Sequence, residues 1–419
     1  MSEAAEPARS SAKRMAIILV CLFFFSVAAV LGSKPLYVMF AAIVAAPLLS
    51  YAIGRTGLRR LRIERQMAGH MSEGEAQEVR LRVTNAGRLR KFYVCLTDEL
   101  PEWLESSAPE GHLVADLGAG EHAEVSYRIT ALKRGVYRVG PVRLRAGDPA
   151  GLFDYRGQAA EASELIVYPI GGRLPTLTFG RGTPFAAATM GRRPVADGTD
   201  YRSIREYRPG DPLRRIHWKS SAHTGRFNVI EFEESLASDV ALALDLTDGS
   251  DVGAGKDTTL EYGIKLAVAI AEHALGNRSS CRLTARAVVD RSLDCRNMAH
   301  DLSRLLEALA RASADCPQPF SKVLDGIAPR LERGAMLMVI TPSTDAAIAG
   351  IVRRLVVNGV SVHVFCLRGD TFARQAGGRR KAVDQSGQYT SFAAHIAASG
   401  ASVHEIRCGG DPVAQIGGR

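Results

Sequence analysis

The stretch VALALDL at residues 240–246 decides the fold of the C-terminal part of the chain. It is a short continuous apolar run, typical of a buried strand, and the sequence after it alternates such runs with amphipathic segments of helical period. We predict strands over residues 240–246, 282–289, 335–341, 361–367 and 402–406, and helices over residues 258–275, 298–312, 345–358 and 391–398. Because short connections join these segments, residues 234–419 are expected to form an α/β doubly wound domain, with a parallel sheet covered on both faces.

A period of two replaces this pattern upstream, in residues 60–170. Val79, Leu81 and Val83 alternate with polar residues, as strands with one dry and one wet face do. Turn sequences such as Asn85-Ala86-Gly87 separate the alternating stretches. This range is therefore predicted to form an antiparallel β-sandwich of immunoglobulin-like shape.

Two uncharged apolar runs, Met15–Leu31 and Leu36–Ile53, lie near the N-terminus and are separated by a very short link. At about 1.5 Å per residue, each helix would be about 25 Å long, close to the lower limit for crossing a bilayer. The short link makes the two helices antiparallel neighbours, so residues 15–54 are predicted to form a transmembrane α-hairpin. A cleaved signal peptide is the alternative, because the first run has a basic start and an apolar middle.

Flanking charge sets the predicted orientation of this hairpin. Arg9, Lys13 and Arg14 precede the first run, arginines recur over residues 55–65 after the second, and only Lys34 lies between. The positive-inside rule then places residues 1–14 and the large C-terminal part in the cytoplasm. We expect a multi-pass protein of the cell membrane with both termini in the cytoplasm.

The composition agrees with a folded cytoplasmic body. Apolar residues make up 46% of the chain and charged residues 23%, which is ordinary for globular protein. The 7 cysteines have no CxxC spacing, which disfavours a disulfide framework or a zinc site and favours a reducing compartment. The net charge of +9 is explained in part by arginines beside the membrane, which anionic lipid headgroups attract.

Residues 171–197 are rich in Gly, Pro, Thr and Arg without periodicity, which indicates a linker. They lead into the run GTDYRSIREYRPGDPLRRIHWKSSAHTGRFNVIEFE at residues 198–233, where charges of both signs alternate as in a recognition element. Asp200, Glu206 and Asp211 would repel a phosphate backbone, so nucleic acid is not expected as a partner. His217 and His223 are candidate bases, but no serine or cysteine nucleophile in a recognisable turn accompanies them.

This run resembles the signature of the bacterial family named domain of unknown function 58. The matching residues are Gly198, Ile204, Arg205, Glu206, Tyr207, Pro209, Gly210, Asp211, Arg215, Ile216, Trp218, Lys219, Ala222, Thr224 and Gly225. His223 stands where the family more often shows Arg. The resemblance implies a membrane hairpin, a β-rich segment, and a C-terminal half similar to a von Willebrand factor A domain.

The resemblance also implies a partner, because members of the family are commonly encoded beside MoxR-type AAA+ ATPases. The sequence has no GxxxxGK[ST] run, so any ATP chemistry would belong to the partner. We expect a membrane-anchored, non-enzymatic scaffold or adaptor whose A-like domain binds such an ATPase in the assembly or activation of other complexes. The predicted partner-binding residues are Arg205, Glu206, Tyr207, Asp211, Arg214, Arg215, Trp218 and Lys219.

A structural interpretation of the same run stands beside this one. In it, Arg205, Arg215 and Glu206 form ion pairs that clamp the linker onto the sheet domain, and Ile216 and Trp218 pack beneath them. Such a clamp would still leave the remaining arginines available to a partner.

A candidate cation site follows the first α/β strand, since ligands of doubly wound sheets bind beyond the carboxyl ends of strands. The A-domain resemblance implies a metal-ion-dependent adhesion site of the form Asp-x-Ser-x-Ser, with a later Thr and a later Asp. Asp245 and Thr247 occupy its first two positions, Gly249 replaces the third, and Thr341 is followed by Pro342 where the later Asp would stand.

Two hypotheses for Asp245 and Thr247 stay open at this point. They hold Mg²⁺ weakly as a degenerate site, with water completing the six oxygens, which would support a membrane-tethered divalent-cation-dependent hydrolase as the second function. Alternatively, they cap neighbouring loops or helix ends, as these residue types often do. No other cofactor is expected.

Overall fold

The computed structural model describes residues 6–32, 34–148, 152–174, 201–207, 216–232, 240–276, 280–284, 293–295, 298–375 and 379–417. The chain divides into two compact units, Met1–Pro169 and Ile170–Arg419. The first unit contains apolar helices and antiparallel sheets, and the second contains an α/β sheet.

Two helices, α1 (Glu6–Leu31) and α2 (Lys34–Gly54), open the first unit. The rings of Phe25 in α1 and Phe40 in α2 have centroids 5.2 Å apart, so the helices pack on each other on either side of the short turn. Within the described residues, α2 alone is long and apolar enough to cross a membrane, because the apolar part of α1, Ile18–Leu31, is shorter. Both predicted helices are present, but their length and composition support one candidate span instead of two.

The strands of the first unit follow these helices. They are β1 (Leu61–Gln66), β2 (His70–Ser72), β3 (Ala76–Asn85), β4 (Lys91–Asp98), β5 (Leu104–Ser106), β6 (His112–Leu117), β7 (His122–Ala131), β8 (Gly135–Val139), β9 (Val142–Gly147), β10 (Asp154–Ala159) and β11 (Ser163–Tyr168). Two sheets have the orders β1-β3-β7-β5 and β10-β9-β4-β6, and a smaller sheet has the order β2-β11-β8. Neighbouring strands are antiparallel except for β2 and β11.

Alternation along the strands places one face of each larger sheet in a shared core. Val79, Leu81 and Val83 on β3 are buried and the arginines between them are exposed, because successive residues point to opposite faces. Val94 and Leu96 on β4, in the other sheet, belong to the same apolar cluster. The predicted antiparallel all-β region is confirmed, and its immunoglobulin-like shape stays a prediction.

The second unit alternates strands and helices along most of its length. Its elements are β12 (Tyr201–Glu206), α3 (Trp218–Thr224), β13 (Asn228–Phe232), β14 (Val240–Leu244), β15 (Gly253–Ala254), β16 (Asp257–Thr258), α4 (Thr259–Gly276), β17 (Cys281–Thr284), β18 (Leu293–Cys295), α5 (Met298–Ala310), α6 (Phe320–Ile327), a 3-10 turn (Ala328–Arg330), β19 (Met336–Thr341), α7 (Ala346–Val357), β20 (Ser361–Leu367), α8 (Gly369–Gln375), α9 (Arg379–Ala398), β21 (Ser402–Ile406) and α10 (Ala414–Gly417).

The central sheet of this unit has the strand order β18-β17-β14-β19-β20-β21, a doubly wound arrangement. Its strands are parallel except β18, which is antiparallel to β17. One face packs on Ile264 and Leu266 of α4, and the other on Ile348 and Val352 of α7. The predicted α/β domain covered on both faces is confirmed, but the expectation of a wholly parallel sheet is wrong at the β18 edge.

Several helices differ from the predicted pattern for local reasons. The prediction omits α6, which has only 8 residues, and the short α8. It also starts α9 at residue 391, because the first half of this helix, from Arg379, is mostly polar and gives little helical periodicity. Residues 285–289 of one predicted strand, and residues 175–197 of the predicted linker, lie outside the described residues.

Candidate functional site

The predicted recognition run folds in part as a β-hairpin that carries a short helix. β12 pairs antiparallel with β13, and Glu206 lies opposite Asn228. Beyond the strand ends, the N–H of Tyr207 donates to the carbonyl of Phe227 at 2.8 Å. Ile216 bridges to Val229, and both side chains are buried. The chain before α3 is therefore held beside β13.

Helix α3 is fixed at both ends by residues of its own sequence. The Nδ1 atom of His217 accepts a hydrogen bond from the N–H of Ser220 at 3.1 Å, so His217 is the N-cap. Gly225 follows the helix with φ of 67°, a left-handed conformation that suits glycine, and its N–H donates to the Ser221 carbonyl at 2.9 Å. His217, considered above as a base, is thus engaged as a helix cap.

Asn228 donates three hydrogen bonds that join β13 to α3. Its Nδ2 donates to the hydroxyl of Thr224 at 2.7 Å and to the hydroxyl of Ser220 at 3.1 Å. Its backbone N–H donates to the hydroxyl of Ser221 at 2.9 Å. These bonds fix the side of the helix that faces the hairpin, so the opposite side is presented in a defined orientation.

An exposed aromatic cluster, formed by Tyr207, Trp218 and Phe227, lies on this frame. The ring centroid of Phe227 is 6.3 Å from that of Tyr207 and 6.3 Å from that of Trp218, and both contacts are edge-to-face. This is a preferred geometry for aromatic pairs. Trp218 is nevertheless 66% exposed and Phe227 56% exposed. The cluster is ordered by its own contacts while much of its surface faces solvent.

Charged residues border the aromatic cluster. The Nη1 atom of Arg226 lies 3.3 Å from the Oε1 atom of Glu206, and both side chains are exposed. Lys219, directly after Trp218, is exposed as well. Glu206 thus pairs within the hairpin, where the clamp interpretation expected an ion pair to the sheet domain. That interpretation is correct in burying Ile216, but it is wrong for Trp218, which is mostly exposed.

The structure brings together three of the predicted partner-binding residues, Glu206, Tyr207 and Trp218, through Arg226 and Phe227, and Lys219 is exposed on α3. Arg205 lies in β12, but its side chain is outside the described part of the structure. Asp211, Arg214 and Arg215 lie outside the described residues.

Sequence reasoning missed two members of this surface, Arg226 and Phe227. Their signal was positional, because they follow Gly225, which ends α3, and directly precede β13. Tyr207 directly follows β12 and Phe227 directly precedes β13. The two rings therefore lie at the same end of this antiparallel strand pair and contact each other.

The candidate cation site forms a hydroxyl-carboxylate cluster at the carboxyl edge of the sheet. Oδ1 of Asp245 accepts hydrogen bonds from the N–H of Thr247 at 3.0 Å and from its hydroxyl at 2.6 Å. Oδ2 accepts from the hydroxyl of Thr341 at 2.6 Å. Asp245 follows β14 and Thr341 ends the adjacent strand β19, and both are buried. The cluster therefore links the ends of two neighbouring strands.

These contacts leave a poor match to a resident Mg²⁺ ion. Mg²⁺ requires nearly octahedral oxygen ligands. Asp245 supplies one carboxylate, and each of its oxygens already accepts a hydrogen bond from a threonine hydroxyl. Among the described residues, no group of three or more His, Cys, Asp or Glu could hold a metal ion. The described residues therefore do not fit the metal that the resemblance implies at Asp245 and Thr247.

A second polar cluster, not foreseen from the sequence, follows β20. Buried Arg368 donates from Nε and Nη2 to the two carboxylate oxygens of Asp370, at 3.0 and 3.1 Å, and from Nη1 to Glu405 at 3.2 Å. The hydrogen bond to Asp370 raises the pKa of Arg368. The hydroxyl of Tyr389 donates to the carbonyl of Pro342 at 2.7 Å, and burial raises the pKa of Tyr389 to about 12. These hydrogen bonds connect the ends of β19 and β20 to α9 and β21.

Fold and site together define a chain with an apolar N-terminal helix, an all-β region, and an α/β domain preceded by a hairpin with an exposed aromatic cluster. Residues 203–364 match the family described as "Protein of unknown function DUF58". This match confirms the resemblance that the 198–233 run carries and includes all but a few residues of the described hairpin.

The chain is also similar to a curated bacterial protein and to domains of solved structures. The chain is 23% identical over 316 residues to the "Uncharacterized protein YeaD" of Bacillus subtilis, covering 74% of this chain and 77% of that protein. It is similar to the CARDB domain of the PF1109 protein from Pyrococcus furiosus (15% identity, 26% of this chain, 86% of that chain, TM-score 0.18). It is also similar to a cohesin module from Clostridium perfringens (15% identity, 26% and 97%, TM-score 0.18). These TM-scores are too low to assert a shared fold.

Proposed function

We propose that this protein is a membrane-anchored, non-enzymatic adaptor whose α/β domain, of the von Willebrand factor A type, binds a partner protein. The partner that the family resemblance suggests is a MoxR-type AAA+ ATPase, acting in the assembly or activation of other complexes. The observation that carries the proposal is the exposed aromatic cluster of Tyr207, Trp218 and Phe227.

The cluster has the properties of a binding surface. Large aromatic side chains dominate the energetics of protein interfaces, and an apolar group held in water is a common mark of such a site. Trp218 at 66% exposure gains little by burial within its own fold. Because capping by His217 and Gly225 and the bonds of Asn228 already order the frame, little further conformational entropy would be lost on binding.

The charged border supports a polar rim around an apolar centre. Glu206 and Arg226 pair across the hairpin end, and Lys219, which follows Trp218 in the sequence, is exposed. Such a rim contributes to orientation and association rate more than to affinity. This arrangement fits a protein surface better than nucleic acid, since Glu206 brings negative charge beside the rings.

Membrane anchoring is proposed as a hairpin with both termini in the cytoplasm. It is supported by the packing of α1 on α2 through Phe25 and Phe40, and by the basic residues that flank the two apolar runs, Met15–Leu31 and Leu36–Ile53. Exposed side chains of α2, such as Val38 and Leu49, would otherwise present apolar surface to water. Pro47 inside α2 has no N–H to donate, and membrane helices tolerate such a proline when the carbonyl of the preceding turn finds another donor.

The test is direct binding between the full chain in lipid nanodiscs and a purified MoxR-type ATPase from the same cell. We expect Trp218→Ala and Phe227→Ala each to weaken binding by roughly 30-fold, the loss of about 2 kcal/mol that defines an interface hot spot. The matched control is Val357→Ala, because Val357 is an 80% exposed apolar residue on α7 outside the hairpin. Binding by both aromatic variants at wild-type strength would contradict the proposed surface.

A further inference from the structure

An apolar groove lies between the two N-terminal helices and the start of β10. Its volume is about 570 Å³, within the range of ligand-binding cavities. It is lined almost entirely by apolar side chains, among them Leu22 and Phe25 of α1, Val44 and Leu48 of α2, and Leu152 and Phe153 before β10. This lining offers a long apolar ligand contact surface and offers a polar ligand very few partners.

The wall formed by Leu152 and Phe153 is fixed in place by a buried carboxylate. The Oδ1 atom of Asp148 accepts hydrogen bonds from the N–H groups of Leu152 and Phe153, both at 2.7 Å. Its Oδ2 atom accepts a hydrogen bond from the hydroxyl of Ser50 in α2. Asp148 is fully buried and Ser50 nearly so. One side chain thus holds this segment of the β region against the end of an apolar helix.

Aromatic contacts reinforce the same junction. The ring of Phe153 lies 5.3 Å from that of Tyr51, centroid to centroid, and the hydroxyl of Tyr155 donates to the Tyr51 carbonyl at 3.0 Å. Gly54 allows this approach, because a Cβ there would lie 2.5 Å from the Tyr155 ring. Tyrosines at the end of an apolar helix are typical of the membrane interface. The groove therefore has a built wall and extends from that interface along the helices.

The surroundings of the groove identify its occupant. Leu22 and Leu48 line it and are 57% and 64% exposed, so the groove is continuous with the apolar outer surface of the helix pair. In a bilayer, that surface contacts lipid tails, and leaving the groove to water would keep its lining hydrated at a cost of about 25 cal/mol per Å². A lipid tail is flexible, apolar and already at this location.

We propose that an acyl chain of a bilayer phospholipid occupies this groove and contacts Phe153, an inference that rests on the proposed membrane anchoring. The lipid acts as a filler between the helix pair and the β10 wall, and the Ser50–Asp148 hydrogen bond holds that wall in place. Together, the bound lipid and the hydrogen bonds of Asp148 determine how Leu152 and Phe153 lie against the membrane.

Tryptophan quenching by lipids brominated in the upper part of the acyl chain tests this in vesicles of phosphatidylcholine and phosphatidylglycerol. The full chain with Trp103→Phe and Trp218→Phe would carry one tryptophan, at Phe153, Leu49 or Leu113. Leu49 is an exposed position on α2, two residues before Tyr51, whose ring contacts Phe153, and Leu113 is an exposed position on β6. We expect F153W to be quenched to about the same extent as L49W, and L113W to be unquenched.

Two further changes separate groove occupancy from simple proximity to the interface. Val44→Phe fills the groove, so it should reduce the quenching of F153W and leave that of L49W unchanged. Ser50→Ala, which removes the donor to Asp148, should also reduce quenching at F153W alone. If L49W is quenched and F153W is not, or if V44F has no effect, the lipid inference is overturned and anchoring stands. An unquenched L49W would overturn the anchoring itself.

Discussion

At the scale of single residues, the buried carboxylate of Asp245 is satisfied by hydroxyl groups. Thr341 is the last residue of β19 and directly precedes Pro342, which stands where the metal-ion-dependent adhesion site would have an Asp. The hydroxyl of Thr341 donates to Asp245 at 2.6 Å. Thr247 donates twice to the other oxygen. Through these hydrogen bonds, Asp245 connects the ends of the neighbouring strands β14 and β19.

Removing the Thr341 hydroxyl should therefore destabilise the α/β domain. Thr341→Val keeps the shape and leaves Oδ2 of Asp245 without that donor, for which we expect a loss of about 1–3 kcal/mol in the free energy of unfolding. Urea denaturation measures it, with Thr341→Ser as the control that keeps a hydroxyl. A valine variant as stable as wild type would show that Asp245 does not depend on this bond.

The same contacts give a prediction for the metal. Since both oxygens of Asp245 are engaged by threonines, a calorimetric titration of the purified protein with Mg²⁺ should give no saturable heat up to millimolar concentration. Asp245→Ala serves as the comparison. A saturable signal in wild type that disappears in the variant would reverse this expectation and would favour the alternative function, a membrane-tethered divalent-cation-dependent hydrolase.

At the scale of elements, a buried ion pair joins the two larger sheets of the first unit. The guanidinium of Arg65 on β1 contacts the carboxylate of Asp98 at the end of β4, and both side chains are 2% exposed. The hydroxyl of Tyr127 on β7 donates to the same carboxylate at 2.5 Å, and burial raises the pKa of Tyr127 above its ordinary value. The Asp98 carboxylate thus connects β4 of one sheet to β1 and β7 of the other.

Removing the Asp98 carboxylate and removing the Tyr127 hydroxyl should have unequal effects. Asp98→Ala strands the Arg65 charge in the interior, which costs about 3–5 kcal/mol. Tyr127→Phe removes only one hydrogen bond, worth about 1 kcal/mol. Thermal unfolding of the detergent-solubilised protein distinguishes the two. If D98A and Y127F were equally mild, the Arg65–Asp98 contact would have no role in joining the sheets.

Two histidines on neighbouring strands predict a pH dependence for the second unit. His363 on β20 and His404 on β21 stack with an interplanar angle of 13°, and burial, then the charge of His404, lowers the pKa of His363 from 6.5 to about 4. Burial lowers the pKa of His404 as well. The unfolded chain binds protons first, so the stability that neutral His363 provides is complete above about pH 6.5 and is lost as pH falls towards 4.

Denaturation as a function of pH checks this prediction against the variant His363→Phe. Between pH 6.5 and pH 4, we expect the free energy of unfolding of the wild type to fall by up to about 3 kcal/mol more than that of H363F. Parallel curves for the two proteins would mean that His363 is protonated as readily in the folded state as in the unfolded one.

Sequence pattern predicted those elements whose own residues determine them. β14 and β19 are almost entirely apolar and β20 is largely so, which made them recognisable, whereas β18 has only 3 residues and no pattern that reveals its antiparallel pairing. Helix α6 does carry buried residues at helical spacing, Phe320, Val323, Leu324 and Ile327, but it is too short to be distinguished from a loop. The exposure of Trp218 could not be predicted, because burial of an aromatic ring depends on tertiary neighbours and not on local spacing.

At the scale of the whole molecule, charge and hydropathy connect the membrane helices to the proposed role. The basic residues lie outside the two apolar runs, and an adaptor for a cytoplasmic ATPase has to keep the Tyr207–Trp218–Phe227 cluster on the cytoplasmic side. Length and composition support α2 as a span more strongly than α1. If α2 alone crossed the membrane, Lys34 and the aromatic cluster would still lie on opposite sides of it. Helix α1 would then lie outside the cytoplasm, on the same side as Lys34.

Cysteine accessibility in intact cells resolves this topology. In a background free of native cysteines, we expect a membrane-impermeant maleimide to label Lys34→Cys, at the first residue of α2, and not Arg407→Cys, an exposed position after β21. A cysteine at Arg9 separates the hairpin from a single span, because it is protected only if α1 also crosses the bilayer. Labelling of R407C from outside would place the α/β domain beyond the reach of an ATPase and would contradict the adaptor role itself.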